Sequence, residues 1–127
     1  MSDLTSVLGM WNVTTRGWSG QLNISSVDGQ GNLSGTLTIT TTDQGSPTGE
    51  AATPISGYWN ADAQELWFVR DMKNIHPNDA LPIQVYTAYG YGAVVGPNLH
   101  ETLAGFFEAL IRTDKHRFGW VASRTLS

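Results

Sequence analysis

Asn32-Leu33-Ser34-Gly35-Thr36-Leu37-Thr38-Ile39-Thr40 is the stretch on which the fold of this chain turns. Leu33, Gly35, Leu37 and Ile39 fall on one face of an extended segment, and Ser34, Thr36, Thr38 and Thr40 on the other, as a half-buried strand requires. Just before it, Asp28-Gly29-Gln30-Gly31 carries two glycines that accept positive φ. It reads as a tight turn pairing the strand with residues 21–26, where Leu22 and Ile24 share a face. Working outward, the same period of two predicts strands over 10–15, 55–60, 65–71, 83–91, 102–112 and 117–124. Ala61-Asp62-Ala63-Gln64 turns the fourth strand into the fifth. A Gly/Pro/Asn-bearing loop joins the sixth to the seventh, and a charged turn over 113–116 precedes the last. Helical spacing nowhere competes with this alternation.

Eight short strands with mostly hairpin-length links predict an all-β, up-and-down antiparallel barrel, in which closure removes the exposed edges of an open sheet. A sandwich is the alternative, but it needs crossovers, and only 42–53 and 72–82 are long enough to supply them. With 127 residues, the chain is expected to form a single domain over 1–127. No cysteine is present, so disulfides, thiolate metal sites and Cys nucleophiles are excluded. Seven Lys plus Arg against eleven Asp plus Glu, a net charge of −4, argue against a nucleic-acid surface. Met1-Ser2-Asp3-Leu4 lacks the basic and apolar regions of a secretory signal, and no apolar run approaches the roughly 18 residues of a membrane span. The expectation is a soluble, cytoplasmic protein with no membrane partner.

Gly9-Met10-Trp11 at the start of the first strand, with Trp120 and Arg124 on the last, resembles the Gly-x-Trp and terminal-strand Arg of the calycin barrels. The resemblance implies that Trp11 plugs one end and that Arg124, adjacent once the barrel closes, stacks on its indole. Leu8-Gly9-Met10-Trp11-Asn12, together with residues 28–37, further resembles the opening strand and Gly-rich hairpin of the avidin and streptavidin family. This covers strands one to three, and the last strand loosely, and implies a streptavidin-like barrel. Carried over position by position, the family's biotin contacts are missing. The Asn two residues after the first Trp is Val13, with Asn12 on the opposite face. The Tyr and Ser that follow the Gly-Thr of the third strand are Leu37 and Ile39, and the carboxylate of the last strand is Val121. Each loss would leave a buried polar ligand group unpaired at about 1–3 kcal/mol.

If Trp11 closes one end, the links one-two, three-four, five-six and seven-eight gather at the other, and this mouth is the expected site. Trp18, Thr41, Trp59 and Arg70 are the candidate ligand contacts. Trp18 is read as an exposed aromatic in the turn Arg16-Gly17-Trp18-Ser19-Gly20, and Arg70 as the strand-borne charge for an anionic group. His76, His100 and His116 lie in separate loops without ligand spacing, so no metal is expected. Asp71 and Asp79 bracket His76, and are read as solvated loop charges. No nucleophile elbow, phosphate loop or dinucleotide fingerprint is present. The expected function is therefore non-catalytic binding, without a cofactor, of a small ligand other than biotin. The alternatives are a carbohydrate-binding lectin and a structural or interaction domain with a filled barrel. Strands five to seven are apolar on both faces, so one face must be covered, which predicts a homodimer or tetramer. Tyr86, Phe106 and Leu110 are the expected interface residues if Val85 and Phe107 share the inward face.

Overall fold

In the computed structural model, which describes residue 4 and residues 6–15, 18–42, 52–71, 83–111 and 114–126, the alternating segments are eight strands. They are β1 (Gly9–Thr15), β2 (Trp18–Val27), β3 (Asn32–Thr42), β4 (Thr53–Asn60), β5 (Glu65–Asp71), β6 (Ile83–Val95), β7 (Asn98–Ile111) and β8 (Asp114–Leu126). Each pairs antiparallel with the next and β8 pairs with β1, giving the expected closed up-and-down barrel. The described side chains alternate in and out along the strands, with register shifts in β2 at Ser19/Gly20 and Ile24/Ser26. The inward set, including Trp11, Val13, Leu22, Ile24, Leu37, Ile55, Leu66, Phe68, Leu103 and Trp120, forms one hydrophobic core.

Three boundaries differ from the sequence reading. Residues 92–95 and 98–101 are strand rather than loop: β6 and β7 meet at a two-residue Gly96-Pro97 turn, with Val95 paired to Asn98 and Gly96 at φ 61°. Only Gly accepts that left-handed backbone without strain. Asp114, Lys115 and His116, read as a turn, belong to β8. Trp18 opens β2 rather than sitting in a turn. The long links over 43–51 and 72–82 lie outside the described residues.

The end bearing the β2–β3, β4–β5 and β6–β7 hairpins is closed by the residues before β1. Leu4 and Val7 are buried in the core, and Trp11 Nε1 donates to the Val7 carbonyl at 2.9 Å. Gln64, at φ 55°, exchanges hydrogen bonds with both backbone groups of Leu4. Arg124 lies over the Trp11 ring at 4.0 Å, the stacking implied by the calycin resemblance. It also bonds Glu101 Oε1 at 2.8 Å and the carbonyls of Ser6 and Leu8.

The register corrects the interface expectation. Tyr86 pairs with Phe107 and Val85 with Glu108, so Tyr86 and Phe107 share the inward face while Val85 points outward. Tyr86 is 1% exposed and stacks between Phe68 and Phe107, each 4.7 Å away, so it cannot belong to an outer interface. Phe106 is half-buried on the outer side, with the Arg117 guanidinium 4.3 Å above its ring. The Leu110 side chain lies outside the described residues.

Candidate functional site

β1, β3, β5 and β7 run toward the mouth, so the inward residues at their far ends, and at the beginnings of β2, β4, β6 and β8, are those a ligand entering there would meet. On β5 the last described inward side chain is Arg70, 1% exposed, whose Nη2 donates to the buried Thr53 hydroxyl on β4 at 3.1 Å. On β6, Gln84 accepts a hydrogen bond from Tyr86 Oη at 2.9 Å. Beneath these polar groups lies an aromatic layer. Phe68, Tyr86 and Phe107 stack in sequence, Trp120 meets Phe68 and Tyr86 edge-on, and Phe118 leans on Phe107. Such pairs add about 0.5–1.5 kcal/mol each to their area burial, so the layer is a firm floor.

Three of the four anticipated contacts lie at the mouth end. Arg70 points inward there, and Thr41 sits near the mouth end of β3, paired with Ser19, though its side chain is outside the described residues. Trp18 is at the mouth end of β2, but half-buried: it packs against the core with its ring 6.3 Å from Phe107. Trp59 is a correction. β4 runs from mouth to closed end, which places Trp59 at the opposite end, paired with Leu66 and donating its backbone N–H to the Gly31 carbonyl. Its indole N–H is buried with no acceptor among the described residues. The sequence does not point to Phe118 or Thr53 as site residues. A parity count from Arg70 across the β5–β6 pairing would have reached Gln84 and Tyr86.

Of the positions compared with biotin contacts, Val13 and Leu37 are buried inside and Ile39 is partly buried, so the described interior is apolar there. Val121 is exposed on the outside, between inward Trp120 and Ala122, and therefore says nothing about the interior. Among the described residues no three His, Asp or Glu side chains converge.

Two clefts of about 320 and 360 Å³ open at the closed end, one on either side of the β2–β3 hairpin. Asp28 holds that hairpin. Its carboxylate accepts from the backbone N–H of Gln30 at 2.8 Å and of Asn32 at 3.0 Å, and from the Asn32 amide at 3.2 Å. These donors, led by the Gln30 N–H, hold its pKa below the ordinary 3.8.

No protein-family model matches the sequence, and no match to a curated protein is found. Solved structures do match. A low-affinity mutant of shwanavidin is similar over 100% of both chains at 14% identity, with a TM-score of 0.60. Rhizavidin is similar over 100% of this chain and 91% of its own at 16% identity and TM-score 0.54, and its biotin complex over 97% and 98% at 17% and 0.55. With every strand antiparallel to its neighbour and the ring closed by β8 on β1, the chain has the eight-stranded, streptavidin-like barrel fold of these avidin-like proteins.

Proposed function

We propose that this protein is a non-catalytic binding barrel whose ligand is a small molecule with an anionic group and an otherwise apolar body, taken at the mouth. The observation that carries this reading is Arg70: a guanidinium 1% exposed, inside the mouth end of a barrel, beside a buried hydroxyl and next to an aromatic layer. Guanidinium offers a planar, permanently charged fork that matches a carboxylate. The apolar surroundings at Val13, Leu37 and Ile39 suit a hydrocarbon or aromatic body better than a polar ring. The biotin complex of rhizavidin supports small-ligand binding as a use of this fold, and the side chains here favour a different ligand. Because the aromatic layer occupies the interior, the ligand sits shallow, above Phe107 and Trp18.

A thermal-shift panel of octanoate, benzoate, phenylacetate and biotin tests this. A carboxylate at a hundredfold excess over Kd should stabilise the fold by about 2.7 kcal/mol. Arg70→Met should remove the effect. If Arg70→Met leaves the response intact, the anionic-ligand reading is wrong; a response to biotin alone, itself a carboxylate, would overturn the preference for a ligand other than biotin. The stacked aromatic layer also favours a second reading, an interaction domain without a ligand, and a panel with no response at all selects it.

The same proposal includes a homo-oligomer formed through the outer faces of β5–β7. Exposed Trp67, Val85, Tyr89 and Tyr91 make that surface apolar, and Phe106 lies in the same row as Trp67 and Thr87. Light scattering should show more than the 13.8 kDa of one chain, and Trp67→Lys should reduce it. A monomeric parent protein overturns this part.

A further inference from the structure

The cleft between the β2–β3 hairpin and the β4–β5 turn lies at the end of the barrel opposite the mouth, so it is independent of the ligand proposed there. Its walls come from the N-terminal segment, the hairpin, the end of β4 and the turn after it, including Ser6, Asp28, Gln30, Tyr58, Asn60 and Asp62. At about 320 Å³ it stands at the small end of the roughly 300–1,000 Å³ range of ligand pockets. We propose that this cleft binds a neutral saccharide, with Tyr58 as the stacking wall and Asp62, Gln30 and Asn60 as hydroxyl partners.

The lining selects this class by chemistry. No Lys or Arg contributes to it, so phosphate, sulfate and carboxylate ligands would meet two carboxylates, Asp28 and Asp62, without a counter-charge. A divalent cation is disfavoured because the Asp28 carboxylate already accepts from Gln30 N–H, Asn32 N–H and the Asn32 amide, and no group of three potential metal ligands exists among the described residues. An apolar ligand is disfavoured by walls rich in carboxylate, amide and hydroxyl. What remains is a molecule with many hydroxyls and one C–H face. Sugar hydroxyls donate to the Asp62 carboxylate and accept from the amide nitrogens of Gln30 and Asn60, while Asn60 Oδ1 is committed to the Ala63 N–H. Tyr58 gives an aromatic surface with a polar tip, suited to a ring that is apolar on its face and polar on its rim. The wall is held in place by local geometry. Gly31, at φ 91°, lies against Tyr58, and a Cβ there would strike both that ring and the Trp59 carbonyl. Asp28 and the Trp59–Gly31 hydrogen bond fix the hairpin against β4. The Trp59 backbone completes the wall beside Gly31.

The test is an NMR titration of the ¹⁵N-labelled protein with cellobiose, lactose and N,N′-diacetylchitobiose, with calcium chloride and sodium phosphate as separate arms. The expected result is saturable shifts, from at least one saccharide, confined to the amides of residues 28–31 and 58–63. Asp62→Ala and Gln30→Ala, both at exposed positions that leave the fold intact, should each weaken binding by about tenfold, the loss of one good hydrogen bond to a charged or amide group. Four outcomes overturn the proposal. These are no saturable shift with any of the three sugars, shifts that map elsewhere, saccharide affinity unchanged in both variants, or calcium or phosphate shifting the same amides in place of the sugars.

Discussion

Each end of the barrel holds an arginine inside, and the two are used in different ways. At the closed end Arg124 is tied to backbone: its guanidinium meets the carbonyls of Ser6 and Leu8, the carboxylate of Glu101 and the face of Trp11. At the mouth end Arg70 meets a side chain, the Thr53 hydroxyl, beside an aromatic layer. Backbone carbonyls of an ordered segment cannot be exchanged for a ligand without releasing that segment. A hydroxyl can turn or yield. The closed end thus fastens its arginine to backbone, while at the other end Arg70, the residue on which the proposed ligand site rests, meets a side-chain hydroxyl.

That contrast is broken most directly at the plug. Trp11→Ala removes a fully buried indole, its hydrogen bond to Val7 and the surface under Arg124. A loss of about 3–5 kcal/mol is expected from the cavity and transfer terms, read as a lower urea midpoint with little change in slope. Arg124→Met should come close, since Glu101, 2% exposed, would be left as a buried carboxylate without its cation. Hydrogen exchange at the amides of residues 6–8 should rise in both variants. A loss below about 1 kcal/mol in either would mean that the N-terminal segment contributes little to closure.

A smaller effect is expected at the other arginine. Arg70→Met keeps the volume and the hydrophobic stem while removing a buried charge and its hydrogen bond to Thr53. The change in stability should stay within about 1.5 kcal/mol, while any carboxylate response disappears. If Arg70→Met destabilises as much as Arg124→Met, both arginines are structural and the distinction between the ends fails.

The barrel was legible because period-two alternation and tight turns report strands locally, residue by residue. What sequence parity does not report is how one strand sits against the next, and the corrections arose there. An outward Tyr86 follows only if Val85 and Phe107 share a face, and the register puts Val85 opposite Glu108 instead. The strands were also read as stopping at Tyr91 and starting at Thr102, which hid the Gly96-Pro97 turn from which Tyr86 counts onto Phe107. Trp18 was misread for a related reason. Gly20 has no side chain to show its inward position, so the alternation from Ile24 and Leu22 was not followed back to Trp18, where a register shift at Ser19/Gly20 further disturbs the pattern. Strand direction alone, counted from β1, places Trp59 at the end of β4 opposite the mouth. Arg70 was legible since a lone charge on an apolar strand face stands out. The closed-end cleft was not, because its walls come from four separated segments that only the closed barrel brings together.

The smallest expected effect is at the β2–β3 hairpin, which separates the contribution of the plug from that of the turn beside it. The Asp28 carboxylate accepts from Gln30 and Asn32, and these donors depress its folded pKa below 3.8. A depressed carboxylate contributes stability that is fully present above the unfolded pKa and is lost as pH falls through the folded value. Between those two values the unfolded chain binds more protons, so stability there rises with pH. Asp28→Asn keeps the shape and one acceptor oxygen while removing the charge. It should therefore be slightly less stable than the parent at neutral pH, and the gap should narrow below about pH 4 as Asp28 itself becomes protonated. Asp28 is fully exposed, so salt should shrink the gap further. Urea midpoints from neutral to acid pH, for both proteins, measure this. A gap that stays constant on acidification would mean that the hairpin is held by the shape of the turn and the hydrogen bond from Trp59 to Gly31, rather than by the charge on Asp28.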